Sequence, residues 1–279
     1  MNENIANSAN SADSANIADI ANSAAETHVG SVGRRYLDEI TSLLDRIERE
    51  ESAAIDRAAI LLTDQIADDR LVWIFGPGGH SNLAAQEIFF RAGGLMHVSA
   101  ILDEGTLLSN GALRSMAIER TPGYGRIVVE DRGLGDGDLL ILVNAYGINA
   151  ALIDAALTAR DHGVRTIGVS SRKHAEETSV AHPARHPSAA NLHDIVDVAI
   201  DTKVPVGDAV IELTGVDERV AAISTFANAF TLNLLVLRTL ELLTTKGITP
   251  PVWRSGNAPG GDQANGRFIA DFRSRVPWL

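Results

Sequence analysis

Cysteine is absent from all 279 residues, which excludes disulfides, thiolate nucleophiles and cysteine-ligated metals. A chain without thiols tolerates either redox compartment, so the absence does not locate it. Positive charge is scarce as well. With 24 Lys and Arg against 36 Asp and Glu, the formal net charge is -12. No net basic field exists to release counterions from a nucleic acid, so a nucleic-acid partner is not expected. Uninterrupted apolar runs of membrane-spanning length are also missing. The longest candidate, Leu232 to Leu243, is broken by Asn233, Arg238 and Glu241, so no membrane partner is expected. No Lys or Arg precedes Arg34, and the start lacks the basic and apolar parts of a secretory signal. The expectation is a cytoplasmic protein whose residues 1–30, repeating Ala-Asn-Ser-Ala and Ala-Asp combinations, form a disordered leader ahead of one domain over residues 31–279.

What is present is a globular composition, 45% hydrophobic with a mean hydropathy of +0.04, enough to bury a sizeable core. From Tyr36 to Gln65, apolar residues recur at helical spacing between Asp, Glu and Arg, which predicts one or two amphipathic helices before the first strand. Beyond Asp69 strand-like and helix-like segments alternate. Strands are predicted at Leu71–Phe75, His97–Leu102, Leu139–Val143, Arg165–Val169 and Ile195–Ile200, and helices at Leu83–Ala92, Ala151–His162 and Ser224–Leu243. The fold class this implies is α/β, a doubly wound three-layer α/β/α sandwich around a five-stranded parallel sheet, with a helical N-terminal extension. Pro250–Gly261 reads as irregular chain wrapping the surface, anchored by Trp253, Phe268, Phe272 and Trp278.

Ligands of such sheets sit beyond the carboxyl ends of the strands, so three strand ends carry the candidate site. The first runs from a buried strand into Gly76-Pro77-Gly78-Gly79-His80-Ser81-Asn82. Gly78 and Gly79 let backbone N–H groups approach a ligand, Ser81 and Asn82 either cap the helix or bind the ligand, and His80 faces solvent or ligand. Glu87 follows on that helix, four residues before Arg91, as a surface ion pair or a base. The second end, Asn144-Ala145-Tyr146-Gly147-Ile148-Asn149, offers Asn144, Tyr146 and Gly147, with Asn149 placed as an N-cap. The third holds Ser170 and Ser171 beside Arg172 and Lys173, a group that suits an anion or any exposed loop. His174, His182, His186 and His193 are close in sequence, but Pro183 and Pro187 break any helix aligning His182 with His186, and no metal site is expected.

These residues carry a resemblance. The layout resembles the sugar isomerase (SIS) domain, and Gly76 to Gly94 (GPGGHSNLAAQEIFFRAGG) is similar to the opening motif of a bacterial SIS branch labelled as phosphosugar or phosphoheptose isomerases. The likeness continues through Ile101–Gly105, Glu119-Arg120, Arg185-His186-Pro187-Ser188, Val206–Ala209 and Pro250–Trp253, covering Tyr36 to Leu279. One departure concerns the second turn. That branch carries Ser-Asn-Ser-Gly-Arg-Asn where this chain has Asn144 to Asn149, so both serines and the arginine are missing.

The resemblance implies a small-molecule partner, a sugar or sugar phosphate, and a homo-oligomer whose neighbouring chain can complete the cleft. It implies no cofactor. Aldose–ketose isomerisation through an enediol needs a base, a proton donor near the shifting oxygens and a ring-opening group. Glu87 is the expected base, with Glu119 as a second candidate. His80 and His186 are expected to move protons, and Arg185 to neutralise enediolate charge. The alternative is a non-catalytic module that senses a phosphosugar.

Overall fold

A computed structural model describes residues 30–279; the leader expected at residues 1–30 lies, but for its last residue, outside the described residues. Helix α1 (Val32–Ala67) starts at Ser31, whose side chain accepts a hydrogen bond from Arg34 N. It is one helix where the spacing allowed one or two. Strands β1 (Val72–Phe75), β2 (Val98–Ile101), β3 (Leu139–Val143), β4 (Arg165–Ser170) and β5 (Val198–Asp201) form one sheet in the order β2-β1-β3-β4-β5. Every pairing is parallel, and Val72 has Val98 on one side and Leu139 on the other. The chain leaves β1 to one edge and returns to build outward from β3, so the topological reversal falls between β1 and β3.

Five consecutive apolar residues make β3, all buried. Successive side chains of a strand point to opposite faces. Leu139, Ile141 and Val143 accordingly join a core that includes Ile55, Ala58 and Leu62 of α1 with Leu232 and Leu235 of the later helix α8 (Ser224–Thr245). Leu140 and Leu142 join the opposite core with Val128, Val129, Leu152 and Ala156. Two faces covered by helices explain why the strand reads as an unbroken apolar run.

Helix α2 (Gly79–Glu87) begins four residues before the expected start and stops short of Ala92, because Phe90 adopts φ 48° and Gly93 φ 79°. Two helices the sequence did not announce, α3 (Ala112–Glu119) and α4 (Tyr124–Asp131), follow β2. Helix α5 (Ala150–Asp161) follows β3, and α6 (Arg172–Glu177) follows β4. The segment expected as strand from Ile195 contains the end of a helical turn, α7 (Leu192–Ile195), and β5 begins only at Val198. Between these, Asp197 accepts from Thr166 N and Oγ1 (2.6 and 3.0 Å) and pins the strand start. A hairpin of β6 (Ala209–Ile211) and β7 (Val220–Ala222), with strands too short for a periodic signal, leads into α8.

By length and composition α8 could cross a bilayer, a property the sequence reading did not credit to this stretch. Ala227, Leu232, Leu235 and Leu243 are nevertheless buried in the protein core. The tail wraps as expected: Trp253 N donates to Gly94 O (3.0 Å) and Met96 N to Pro251 O (2.8 Å). It then forms a helix that was not anticipated, α9 (Gly261–Phe272). Trp253 and Phe272 bury against Met96 and Val276, with Phe268 half-buried beside them. Trp278 is 42% exposed and does not serve as an anchor.

Candidate functional site

The β1–α2 and β3–α5 turns lie at the carboxyl ends of the two strands that flank the reversal. Asn144, buried at the end of β3, ties them together. Its Nδ2 donates to Ser81 Oγ (3.1 Å) and Pro77 O (3.4 Å), while its Oδ1 accepts from Tyr146 N (2.9 Å) and Gly147 N (3.0 Å). Both turns hold glycines where nothing larger fits. Gly78 has φ 93°, and a Cβ there would meet the Glu119 carboxylate at 2.4 Å; Gly147 has φ 69°, and its Cβ would meet Ser170 Oγ at 2.6 Å. The Glu119 side chain therefore lies directly on the first turn, beside the start of α2.

A cavity of about 550 Å³ opens beside these turns, lined by Met116, Glu119, Arg120, Tyr146, Ile148, Asn149, His174, Thr178, Ser179, His182, Ala184, Val206 and Gly207. The Tyr146 ring stacks on His174 with centroids 3.9 Å apart and planes 26° from parallel. Thr178 Oγ1 donates to His174 O (2.6 Å) and lies 3.1 Å from His174 Nδ1. Burial raises the Glu119 pKa to about 7, against the pull of Arg120 and Asn144. The same desolvation, joined by the negative charges of Asp208 and Glu119, raises the Tyr146 hydroxyl, and it lowers His174. Near neutral pH the cavity thus holds a carboxyl poised to take or give a proton and a neutral imidazole. Asn149 is buried, donates from Nδ2 to Ala184 O (3.5 Å), and has no partner for Oδ1. An unpaired buried acceptor costs free energy, on the order of 1–3 kcal/mol, until something donates to it.

Of the residues expected at the site, Tyr146 and Asn149 line the cavity. Asn144, Gly147, Ser81, Gly78 and Gly79 build the turns behind it, with Leu108 packed over Gly79. Asn82 is buried, accepts from Gln86 Nε2 (2.7 Å) and leaves Nδ2 without a partner. Ser170 packs against Gly147, and Ser171 caps α6 by accepting from His174 N while donating to Val204 O (2.6 Å). The Ser171 hydroxyl is thus engaged by the fold, and neither serine lines the cavity.

The four expected catalytic residues lie outside the cavity. Glu87, at the end of α2, borders a separate groove with Leu83, Arg91, Thr225 and Ala229. It accepts from Asn233 Nδ2 (3.3 Å) and lies 3.4 Å from Arg91, because it sits on the flank of α2 that meets α8. His80 is exposed in the first turn of α2. Arg185 is buried with every nitrogen engaged: Nε donates to Thr178 O (3.2 Å), Nη1 to Asn191 Oδ1 (2.9 Å) and Ala189 O (3.4 Å), and Nη2 to Thr178 O (2.9 Å) and Ala175 O. Its guanidinium closes the loop between α6 and α7. Ser188 N donates to His186 Nδ1 (3.1 Å), which leaves the Nε2 proton to donate to Asp154 Oδ1 (3.0 Å). The Arg185-His186-Pro187-Ser188 motif is thereby a clasp that joins the loop to α5.

Sequence reasoning ranked Glu119 second and weighed His174 and His182 only as metal ligands. The available signal was Glu119-Arg120 inside the matched motif. Nothing in the spacing announced that α3, a helix not foreseen, would lay that carboxylate on the first glycine turn.

Residues 35–171 match the family model described as the SIS domain. A UPF0309 protein of Streptomyces griseus is 34% identical over 87% of this chain and 95% of its own, and one of Caldanaerobacter subterraneus is 33% identical over 88% and 98%. Among solved structures, a phosphoheptose isomerase from Neisseria gonorrhoeae covers 76% of this chain and 96% of its own at 16% identity, with a TM-score of 0.49. With nearly the whole length of the UPF0309 proteins aligned and a SIS domain at its core, the chain belongs to the UPF0309 family of SIS-domain proteins.

Proposed function

We propose that the protein binds a sugar or sugar phosphate in the cavity beside β1 and β3 and interconverts aldose and ketose without a cofactor. The observation that carries this reading is the Glu119 carboxyl, desolvated to a pKa of about 7 on the wall of a cavity sized for a monosaccharide. A general base works best when its pKa lies near the working pH. Ionised Glu119 takes the proton from the carbon next to the carbonyl, the electron pair moves into an enediolate, and the acid returns the proton to the neighbouring carbon. Tyr146 and His182 stand on the same wall to shuttle protons between the two oxygens. Glu119 takes the role first expected of Glu87, and Arg185 and His186 hold the loop. The same reading makes the protein a homo-oligomer, supported by Leu83, Phe226 and Leu237, which are exposed on α2 and α8.

The test is incubation with a panel of aldoses and ketoses in deuterated water, followed by NMR. Deuterium at the carbon next to the carbonyl of one sugar, lost in Glu119→Gln by at least about a hundredfold, is the expected result. Binding across the panel with no exchange would reject the isomerase and leave a sugar-sensing module.

A further inference from the structure

We propose that Asp154, on α5, is a positioning residue that sets two walls of the cavity relative to each other. The inference rests on the proposed isomerisation for its consequence and on hydrogen bonds for its geometry. One wall is the end of α3, which contributes Met116, Glu119 and Arg120; the other is the loop after α6, which contributes Thr178, Ser179, His182 and Ala184. Neither segment is a strand of the sheet, so strand pairing does not fix their separation.

Both walls are tied to α5. Helix α4, which continues from the first wall, lies so close to α5 that a Cβ on Gly125 would overlap Ala151 O. In the turn between α3 and α4, just after Glu119 and Arg120, Gly123 N donates to Asp154 Oδ2 (2.5 Å). Thr121 N closes the end of α3 by donating to Ile118 O (2.9 Å). The other oxygen of the same carboxylate serves the loop, since Oδ1 accepts from His186 Nε2 (3.0 Å). His186 is linked back to the second wall by Arg185 N, which donates to His182 O (3.0 Å).

Both partners of Asp154 are donors, because His186 Nδ1 already accepts from Ser188 N. Only a group with two acceptor oxygens satisfies both, and an ionised one makes the stronger bonds. The Asp154 and His186 side chains are each 12% exposed, so water competes little for the pair. Asp154 does not line the cavity and acts through the groups that do. On the loop, Ala184 N donates to His182 Nδ1 (3.2 Å), which leaves the proton of the neutral ring on Nε2 as a donor. One carboxylate thus registers the base, Glu119, against this donor. A base must come within hydrogen-bond reach of the proton it takes, and a misplacement of about 1 Å can cost about a hundredfold in rate.

The experiment follows the Glu119 carboxyl by 13C NMR across pH, its signal identified as the one absent from Glu119→Gln. It also measures kcat and KM in the deuterium-exchange assay, with urea unfolding to establish that each variant is folded. Asp154→Ala releases both walls. Water then reaches Glu119, whose pKa of about 7 comes from burial, and its midpoint is expected to fall by at least about one unit. A drop in kcat of at least about tenfold, with KM little changed, accompanies it. The groups that act on that carboxyl, Arg120, Asn144 and Tyr146, are the same in every variant, so the shift reports hydration. His186→Ala releases the loop alone, so kcat falls while the Glu119 midpoint stays. Asp154→Asn also loses kcat, because an amide cannot accept from both donors; adding His186→Gln restores most of it, the amide at 154 now donating to the carbonyl at 186. A merely structural Asp154 lowers stability and moves neither the midpoint nor the kcat of folded protein. That result overturns the inference, as does a double variant no more active than Asp154→Asn. If Asp154→Ala does not fold, His186→Ala and the paired substitution decide. A parent protein inert towards every sugar overturns the isomerase, and the Glu119 midpoint in the Asp154 variants then decides whether Asp154 places the wall.

Discussion

Glu119 shows how one residue's surroundings set its chemistry. On an exposed helix its carboxyl would ionise near pH 4.5; pressed against Gly78 and the cavity wall it does so at about 7. Between those values the folded state holds a proton that the unfolded state has released, so stability falls as pH rises through this window. The cost is absent below the lower value and complete above the higher. At 1.36 kcal/mol per unit it is on the order of 3 kcal/mol. Glu119→Gln carries no charge at either end and is therefore expected to match the parent protein in acid and to exceed it by roughly 1–3 kcal/mol near pH 8. Urea unfolding at pH 4.5 and 8 reads this directly; a difference that does not change with pH would mean that Glu119 ionises like a surface residue. In the proposed reaction the carboxylate is the working form, so the same titration is expected to make turnover rise with pH as stability falls. Asn144 contributes in another way, since one side chain satisfies two backbone donors and joins the turns of β1 and β3.

The elements differ in how far their sequence reveals them. Strand β3, Leu139–Val143, is legible because burial on both faces demands an unbroken apolar run. Helix α1 is legible because its buried positions repeat at helical spacing. Helix α3 is not, because Leu113 and Met116 are exposed, and Ser115 is its one buried residue. A helix held by its ends and by Ser115 Oγ donating to Thr106 O has no apolar stripe to announce it, and with it went the reading of Glu119. The loop from Thr178 to Asn191 hid its meaning differently. His186 and Arg185 are residue types common in active sites, yet their donors are directed at carbonyls and at Asp154 within the protein. Composition cannot distinguish an arginine that binds a ligand from one that closes a loop, because the difference lies in contacts several residues away. Arg185→Ala is expected to destabilise the fold by roughly 2–4 kcal/mol, since Ala175, Thr178 and Ala189 lose donors to their carbonyls in a buried setting. Hydrogen exchange should quicken across residues 178–191 first. A variant that kept full stability and lost isomerisation would return Arg185 to the reaction.

The whole molecule places its candidate cavity and one exposed apolar groove on different sides of α2. One side carries Gly78 and Gly79 into the site; the other meets α8 along a groove of about 390 Å³ containing Leu83, Thr225 and Ala229. Leu83 is 47% exposed and Phe226, next to Thr225, is 44% exposed. The charges in that groove, Glu87 and Arg91, pair with each other at 3.4 Å, so the surface presents little net charge of its own. A second copy meeting it would bury the two apolar side chains, worth roughly 1.5–3 kcal/mol for each that is fully covered. Against this stands the repulsion of two chains of net charge -12, a long-range term that salt screens beyond about 8 Å at physiological ionic strength. The two effects oppose each other and differ in range, so association should strengthen as salt is added. Sedimentation velocity is expected to show a dimer at physiological salt, partial dissociation at low salt, and a monomer under both conditions for Leu83→Glu combined with Phe226→Glu. That double variant touches neither turn nor Glu119, so loss of the dimer together with loss of deuterium exchange would show that the cavity works only when a second chain is seated beside it. Exchange retained by the monomer would place the complete site within one chain. A parent protein that sediments as a monomer at every salt concentration would reject the homo-oligomer.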